Sequence, residues 1–253
     1  MRPGKRRRWR GRYWHDDDAS RSRSPAERAR NDHLLQAIED TVGMKIGIIG
    51  AGNVGTGLGK RLAVHGHDIM VSFARSPDKV RTAAMTIGAG ARAGSPEEAV
   101  AHGEVVIIAT PWAVTLEAVR SVATGLDGKI VWDATNPLKG DMSGLAIGTS
   151  TSGGEEISRA VPGAHIVKAV PPFAEVLHSD SMEIAGQLPS VFVCSDNGDA
   201  RKTIVDLVGQ IPATAVEAGP LSLARYSEPL GMLLVQLAYA QGMGARIGAS
   251  LIR

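Results

Sequence analysis

Gly50, Gly52 and Gly55 stand at the spacing Gly-x-Gly-x-x-Gly, directly after the apolar stretch Lys45-Ile46-Gly47-Ile48-Ile49 and before a helical pattern. Strand, glycine turn and helix in that order are what a dinucleotide pyrophosphate requires: a tight turn, close approach of backbone N–H groups, and a helix N-terminus facing the phosphates. In a chain with 30 glycines the bare triple is a weak pattern. Its position between strand and helix gives it weight.

The tip of the next strand, Asp68 to Phe73, decides which dinucleotide is expected. NAD-binding turns place an acid there for the ribose 2′-hydroxyl. This chain reads Ser72-Phe73-Ala74-Arg75-Ser76, with no acid and one arginine. A guanidinium suits paired donation to a 2′-phosphate, so NADP(H) is predicted over NAD(H), with Arg75 on the phosphate and Ser76 and Lys79 assisting. Two further stretches reach the same sheet edge. The apolar run Glu104 to Ala109 ends in Thr110-Pro111-Trp112, and the strand Lys129 to Asp133 delivers Ala134-Thr135-Asn136-Pro137-Leu138. Ligands of open α/β sheets bind at that edge. Trp112 there either walls the cofactor or simply packs, and Asn136 offers both a donor and an acceptor.

Other chemistry lacks its residues. The chain has no nucleophile elbow with a following acid and histidine, no Cys-x-x-Cys and no His-x-x-x-His, so acyl transfer and metal hydrolysis lack support. His65, His67 and His165 read as structural residues. Lys168, at a sheet edge, is the one cation to watch, with a structural role favoured. No catalytic acid or base and no metal ligand is predicted. That shortage fits hydride transfer between two ring cofactors, which needs stacking and alignment more than a positioned proton acceptor.

The elements that must position these residues follow from the patterning. A chain of 253 residues, 43% hydrophobic and 21% charged, is an ordinary globular composition, with length for one large domain or two small ones. The fold expected is α/β: a Rossmann-type doubly wound parallel sheet with a small C-terminal α/β domain. Its helices are expected at Val54 to Val64 and Asp199 to Gln210, with a long helical tail from Leu221. Further strands are expected at Ala164 to Val170, Ser190 to Cys194 and Thr214 to Glu217. The Gly, Ser and Thr-rich stretch Gly140 to Gly154 reads as a mobile loop.

Domain limits are set at 1–43, a basic extension; 44–170, the NADP-binding domain; and 171–253, a small domain completing the acceptor cleft. The extension carries 11 Lys and Arg against 7 Asp and Glu, leaving 17 against 19 in the remainder. Residues 1–24 have too little to bury and read as disordered, and Ser24-Pro25-Ala26-Glu27 could cap a helix over 25–40. A nucleic-acid partner is disfavoured, and Met44 is the expected functional start. A single cysteine, Cys194, and the lack of a signal-like segment point to the cytoplasm. The longest uncharged run, Pro229 to Ala245, falls short of the roughly 20 apolar residues a membrane span needs. The apolar stretch Leu230 to Tyr239 suggests a homodimer, or else a cap on the sheet.

The residues together resemble the NADPH:coenzyme-F420 oxidoreductase family, related to the reductase domain of the STEAP metalloreductases. The resemblance covers about residues 44–253. It rests on the glycine turn, on Thr110-Pro111-Trp112, on Asp133-Ala134-Thr135-Asn136-Pro137-Leu138, on Ala218-Gly219-Pro220-Leu221 with Arg225 and Glu228, and on Gln241-Gly242-Met243-Gly244. It implies NADPH in the first domain and a deazaflavin stacked on its nicotinamide in the cleft. It also places Asn53 and Val54 on the pyrophosphate, Arg75 on the 2′-phosphate, Pro111 and Trp112 beside the nicotinamide, and the Gly242 to Gly244 backbone near the deazaflavin. The chain departs from the pattern at Phe73-Ala74, where the family often has Ser-Arg, and at Pro171-Pro172, where relatives carry a polar residue. The expected activity is hydride transfer between NADP(H) and a planar small-molecule acceptor, coenzyme F420 foremost. The alternatives are a flavin, ferric chelate or imine-type acceptor, and a non-catalytic NADP(H)-binding sensor.

Overall fold

The computed structural model describes residues 43–73, 76–181 and 183–252. The expected extension with its helix at 25–40 lies outside the described residues, as does Arg75. Residues 41–253 form one compact unit. Its elements in chain order are β1 (Lys45–Ile49), α1 (Asn53–Ala63), β2 (Asp68–Ser72), α2 (Pro77–Ile87), β3 (Arg92–Ala93), α3 (Pro96–His102), β4 (Val105–Ile108) and α4 (Trp112–Ser121). There follow β5 (Ile130–Asp133), α5 (Gly153–Ala160), β6 (His165–Lys168), α6 (Ala174–Leu177), β7 (Ser190–Cys194), α7 (Gly198–Val208), β8 (Thr214–Gly219) and α8 (Ala224–Val235).

All eight strands lie in one sheet, ordered β3-β2-β1-β4-β5-β6-β7-β8. The first six are parallel and in the doubly wound order 3-2-1-4-5-6. Successive residues of a strand point to opposite faces, so a strand covered on both sides must be apolar throughout. β4 meets this fully: Val105 and Ile107 enter the core on one face, Val106 and Ile108 the core on the other. In β1, Gly47 permits the packing of α3, because a Cβ there would lie 2.0 Å from the Ala99 carbonyl oxygen.

The expected boundary after Val170 falls within this sheet. β7 pairs antiparallel with β6 through Lys168 and Cys194, and β8 runs parallel to β7. The tail differs from the long helix expected: α8 runs into a π turn over Gln236–Ala240, and the chain then turns out of helix. Gly242 and Gly244 adopt positive φ of 70° and 80°, a backbone that ends a helix. The returning segment lies along β7, where Ser190 N–H donates to the Ala249 carbonyl at 2.7 Å.

Lys168 joins the layers. Its side chain is fully buried, and Nζ donates to Asp133 Oδ2 at 2.8 Å, to the Thr135 carbonyl at 2.8 Å and to Glu228 Oε1 at 2.9 Å. Burial pulls the ammonium pKa down, but the Asp133 and Glu228 carboxylates outweigh it, and the pKa stands above the ordinary lysine value. Glu228 also accepts from the Gly153 and Gly154 N–H groups at 2.9 and 3.1 Å, closing the N-terminus of α5. One ammonium therefore ties β5, β6, α5 and α8 together. Lys168→Met should destabilise the protein by about 3–5 kcal/mol in denaturant unfolding, since it strands two buried carboxylates. A loss under about 1 kcal/mol would show that the pair is not structural.

Candidate functional site

The glycine turn is shaped by crowding on one side and openness on the other. Gly50 has φ of +132°, and a Cβ on it would lie 2.4 Å from the Ala109 carbonyl oxygen. A Cβ on Gly55 would lie 1.9 Å from the Gly50 oxygen, whereas one on Gly52 would meet nothing within 4 Å. Gly52 is the N-cap of α1 and supplies no capping side chain. The first turn of this helix is thus open to an anion approaching its N–H groups. His178 braces the turn from behind, its Nε2 lying 2.9 Å from the Asn53 carbonyl oxygen. Arg61, about two turns further along α1, donates to the carbonyls of Leu177 and Ser179.

Gly52, Asn53 and Val54 form one end of a cleft of about 560 Å³. Thr110 and Pro111 from the loop after β4, Trp112 at the start of α4, and Asn136 from the loop after β5 join the same surface. The other predicted residues among those described lie off this surface. Gly50 and Gly55 sit behind the turn, and Pro137 is buried, with its Cδ 3.4 Å from where a Cβ on Gly153 would stand. Ser76 caps α2, accepting from the Lys79 N–H, and is not on the cleft wall. Thr110 spends its hydroxyl on Thr115, 2.8 Å away. Trp112 lines the cleft and also packs on α5, its Cζ3 3.1 Å from a Cβ built on Gly153.

Several wall residues carry no motif. Pro171, Pro172 and Phe173 follow β6, and Phe173 meets Tyr239 edge-on with ring centroids 6.0 Å apart. Because β7 runs antiparallel to β6, its opening residues Ser190 and Phe192 face the cleft, contrary to the carboxyl-edge rule that holds for parallel strands. Leu230, Leu234 and the returning Ile247 to Ala249 complete an apolar wall. The stretch read as a mobile loop forms a pinned flap: Leu138 bridges Leu145, and Gln236 Nε2 donates to the Met142 carbonyl at 2.8 Å. Lys139 and Met142 of this flap line the cleft.

Chemically the cleft is spare. Among the described residues, its charged wall groups are Lys139 and Glu175. Burial and then the Glu175 carboxylate raise the Tyr239 phenol, which stays a neutral donor. Cys194 is fully buried, and burial pushes its thiol up to about 11, so it is no nucleophile at neutral pH. No grouping of three His, Cys, Asp or Glu side chains that could hold a metal occurs among the described residues. His67 is spent on structure, between the Met44 N–H at 3.0 Å and Gln210 at 2.7 Å. Asn136 Oδ1 is the buried side-chain polar atom left without a partner among the described residues.

The cleft thus joins an open helix N-terminus to largely apolar walls. Comparison with known proteins points to oxidoreductases. Residues 45–137 match the family described as NADP oxidoreductase coenzyme F420-dependent. Through these residues, the chain is similar to that oxidoreductase family. It is similar to the F420-dependent NADP reductase of Methanocaldococcus jannaschii, 29% identical over 223 residues, covering 81% of this chain and 98% of that protein. A crystal structure assigned as an F420-dependent NADP-reductase of Arthrobacter sp. FB24 superimposes with a TM-score of 0.74 at 27% identity, covering 83% of this chain and all of that one. Metalloreductase STEAP3 of Rattus norvegicus is 28% identical over 193 residues, which span 76% of this chain and 37% of that protein. Among the described residues no helix is long and apolar enough to cross a membrane.

The two glycines of the turn separate fold from site. Gly55→Ala should cost about 3 kcal/mol or more in thermal or denaturant unfolding, because its Cβ meets backbone that cannot move aside. Gly52→Ala should stay within about 0.5 kcal/mol of the parent. Equal losses in the two variants would contradict this division of roles.

Proposed function

We propose that this protein transfers hydride between NADP(H) and a planar acceptor, with coenzyme F420 the acceptor that the family supports best. The observation that carries the reading is the single cleft joining the open α1 N-terminus to an apolar wall built from Pro171 to Phe173, Leu230 and Leu234. Its residues fit a dinucleotide: the turn leaves room at Gly52, and Asn136 Oδ1 offers an unused acceptor. Bound NADPH supplies the hydride and its electron pair. The protein binds the pyrophosphate at Gly52 to Val54, orients the reacting ring between Pro111, Trp112 and Asn136, and excludes water with the Lys139–Met142 flap. Proximity and orientation then supply most of the acceleration.

Mixing protein, NADPH and F420 should deplete the deazaflavin absorbance catalytically. Cofactor binding with no acceptor turned over would refute the reading. A second acceptor class, a flavin or an imine-type compound, is favoured by one observation: the residues after β6 that line the cleft are Pro171 and Pro172, which offer no hydrogen-bond donor. Turnover of one of these without F420 would select it.

NADP(H) specificity rests on Arg75. Arg75→Ala should raise KM for NADPH by about 10-fold to 100-fold, the loss expected for a charge-assisted phosphate contact, and leave KM for NADH nearly unchanged. Equal effects on both would remove Arg75 from the phosphate site.

We read the protein as cytoplasmic and as a homodimer through α8. Tyr226 and Leu233, seven residues apart on this helix, are 73% and 53% exposed, and two exposed turns of apolar surface favour a partner. Leu233→Asp should convert a dimer to a monomer in light scattering. A parent protein that is already monomeric would contradict the dimer.

A further inference from the structure

Asn136 is held as a half-used amide. Nδ2 donates to the Glu228 carbonyl at 3.2 Å, while Oδ1 is buried with no partner among the described residues. Turning the amide round gives no relief, because Oδ1 would then face the Glu228 carbonyl, two acceptors opposed, and the amide N–H would be orphaned instead. The surroundings also hold it. A Cβ on Gly231 would lie 2.7 Å from Nδ2, so α8 presses close at this point, and Glu228 is anchored at its far end by Lys168 and the α5 N–H groups.

A buried acceptor without a donor is costly in a finished fold and calls for a missing partner. Asn136 lines the cleft on the loop after β5, the neighbour of β4, whose own loop carries Pro111 and leads to Trp112. On the reading that NADPH fills this cleft, we propose that Asn136 Oδ1 accepts an amide-type N–H from the bound heterocycle, and that the donor is the nicotinamide carboxamide. The contact makes Asn136 a specificity-determining residue: it reads the –NH2 of the carboxamide and sets which way the ring lies. An imide N–H on a deazaflavin acceptor is the same chemistry from a second source. The side of the cleft favours the nicotinamide, since Asn136 shares the cleft surface with the glycine turn through the adjacent strand ends.

Equilibrium binding tests this without turnover. The 3-acetylpyridine analogue of NADPH keeps the carbonyl and replaces –NH2 by methyl. Wild-type protein should bind it about tenfold more weakly than NADPH, the size expected for one unmade hydrogen bond to a buried acceptor. Asn136→Leu should bind both ligands with nearly equal affinity, while retaining wild-type affinity for 2′-phospho-ADP-ribose, which lacks the nicotinamide. Should that variant fail to fold, the wild-type comparison decides by itself. Equal wild-type affinities for NADPH and the analogue would overturn the proposal. So would a loss of F420 binding in Asn136→Leu with NADPH discrimination intact, which would give the N–H to the acceptor ring. A wild-type protein that binds no NADPH fails the hydride-transfer reading itself, an outcome distinct from the other two.

Discussion

A buried ammonium has to be matched where it lies, and Lys168 is matched from two directions. Asp133 reaches it from the adjoining strand and Glu228 from the C-terminal helix. Such a group costs several kcal/mol to bury and regains this only with close, well-directed partners. Much of the cleft geometry follows from meeting that demand. Asp133 Oδ1 also holds the Thr135 N–H at 2.9 Å, fixing the start of the loop that carries Asn136. Glu228 closes the first turn of α5 and presents its own carbonyl to the Asn136 amide. Arg225, one turn before Glu228, binds both oxygens of Glu155 and holds its carboxyl below the usual range. α8 is therefore pinned by charge at two adjacent turns, to the sheet through Lys168 and to α5 through Glu155.

Binding and orientation divide along the same lines. The end proposed for the dinucleotide is built from backbone: a glycine turn, an uncapped helix, and side chains such as His178 that brace it from behind. The end proposed for the acceptor is built from apolar side chains on elements distant in sequence, which meet because β7 inverts the sheet and the chain returns along it after Gly244. Among the described residues neither end presents an acid–base pair. Hydride transfer between rings asks for none, since alignment and exclusion of water are the main requirements.

Local physics made the first end legible in the sequence. A glycine turn between an apolar strand and a helix reports its own geometry, and the strands whose two faces are covered show as near-continuous apolar runs. Ser76 shows the limit of such reading: in sequence it is a polar residue beside an arginine, but its oxygen caps α2. The acceptor wall was not legible in the same way. Phe173, Phe192 and Tyr239 fall on no motif, and the rule that ligands bind at carboxyl strand ends misses a strand that runs the other way. Glu228 stood out only through the family pattern, which marks the residue without giving its partner. Pairing it with Lys168 takes the sheet, because the two are far apart in sequence and meet only in the folded chain.

Direct hydride transfer within one cleft is the central claim, and isotopic labelling tests it most directly. With NADPH carrying deuterium on one face of nicotinamide C4, and F420 as acceptor, the label should pass to carbon of the reduced deazaflavin from one face only, and none should enter that carbon from deuterated water. Label lost to solvent, or solvent deuterium at that carbon, would contradict a cleft that aligns two rings and excludes water.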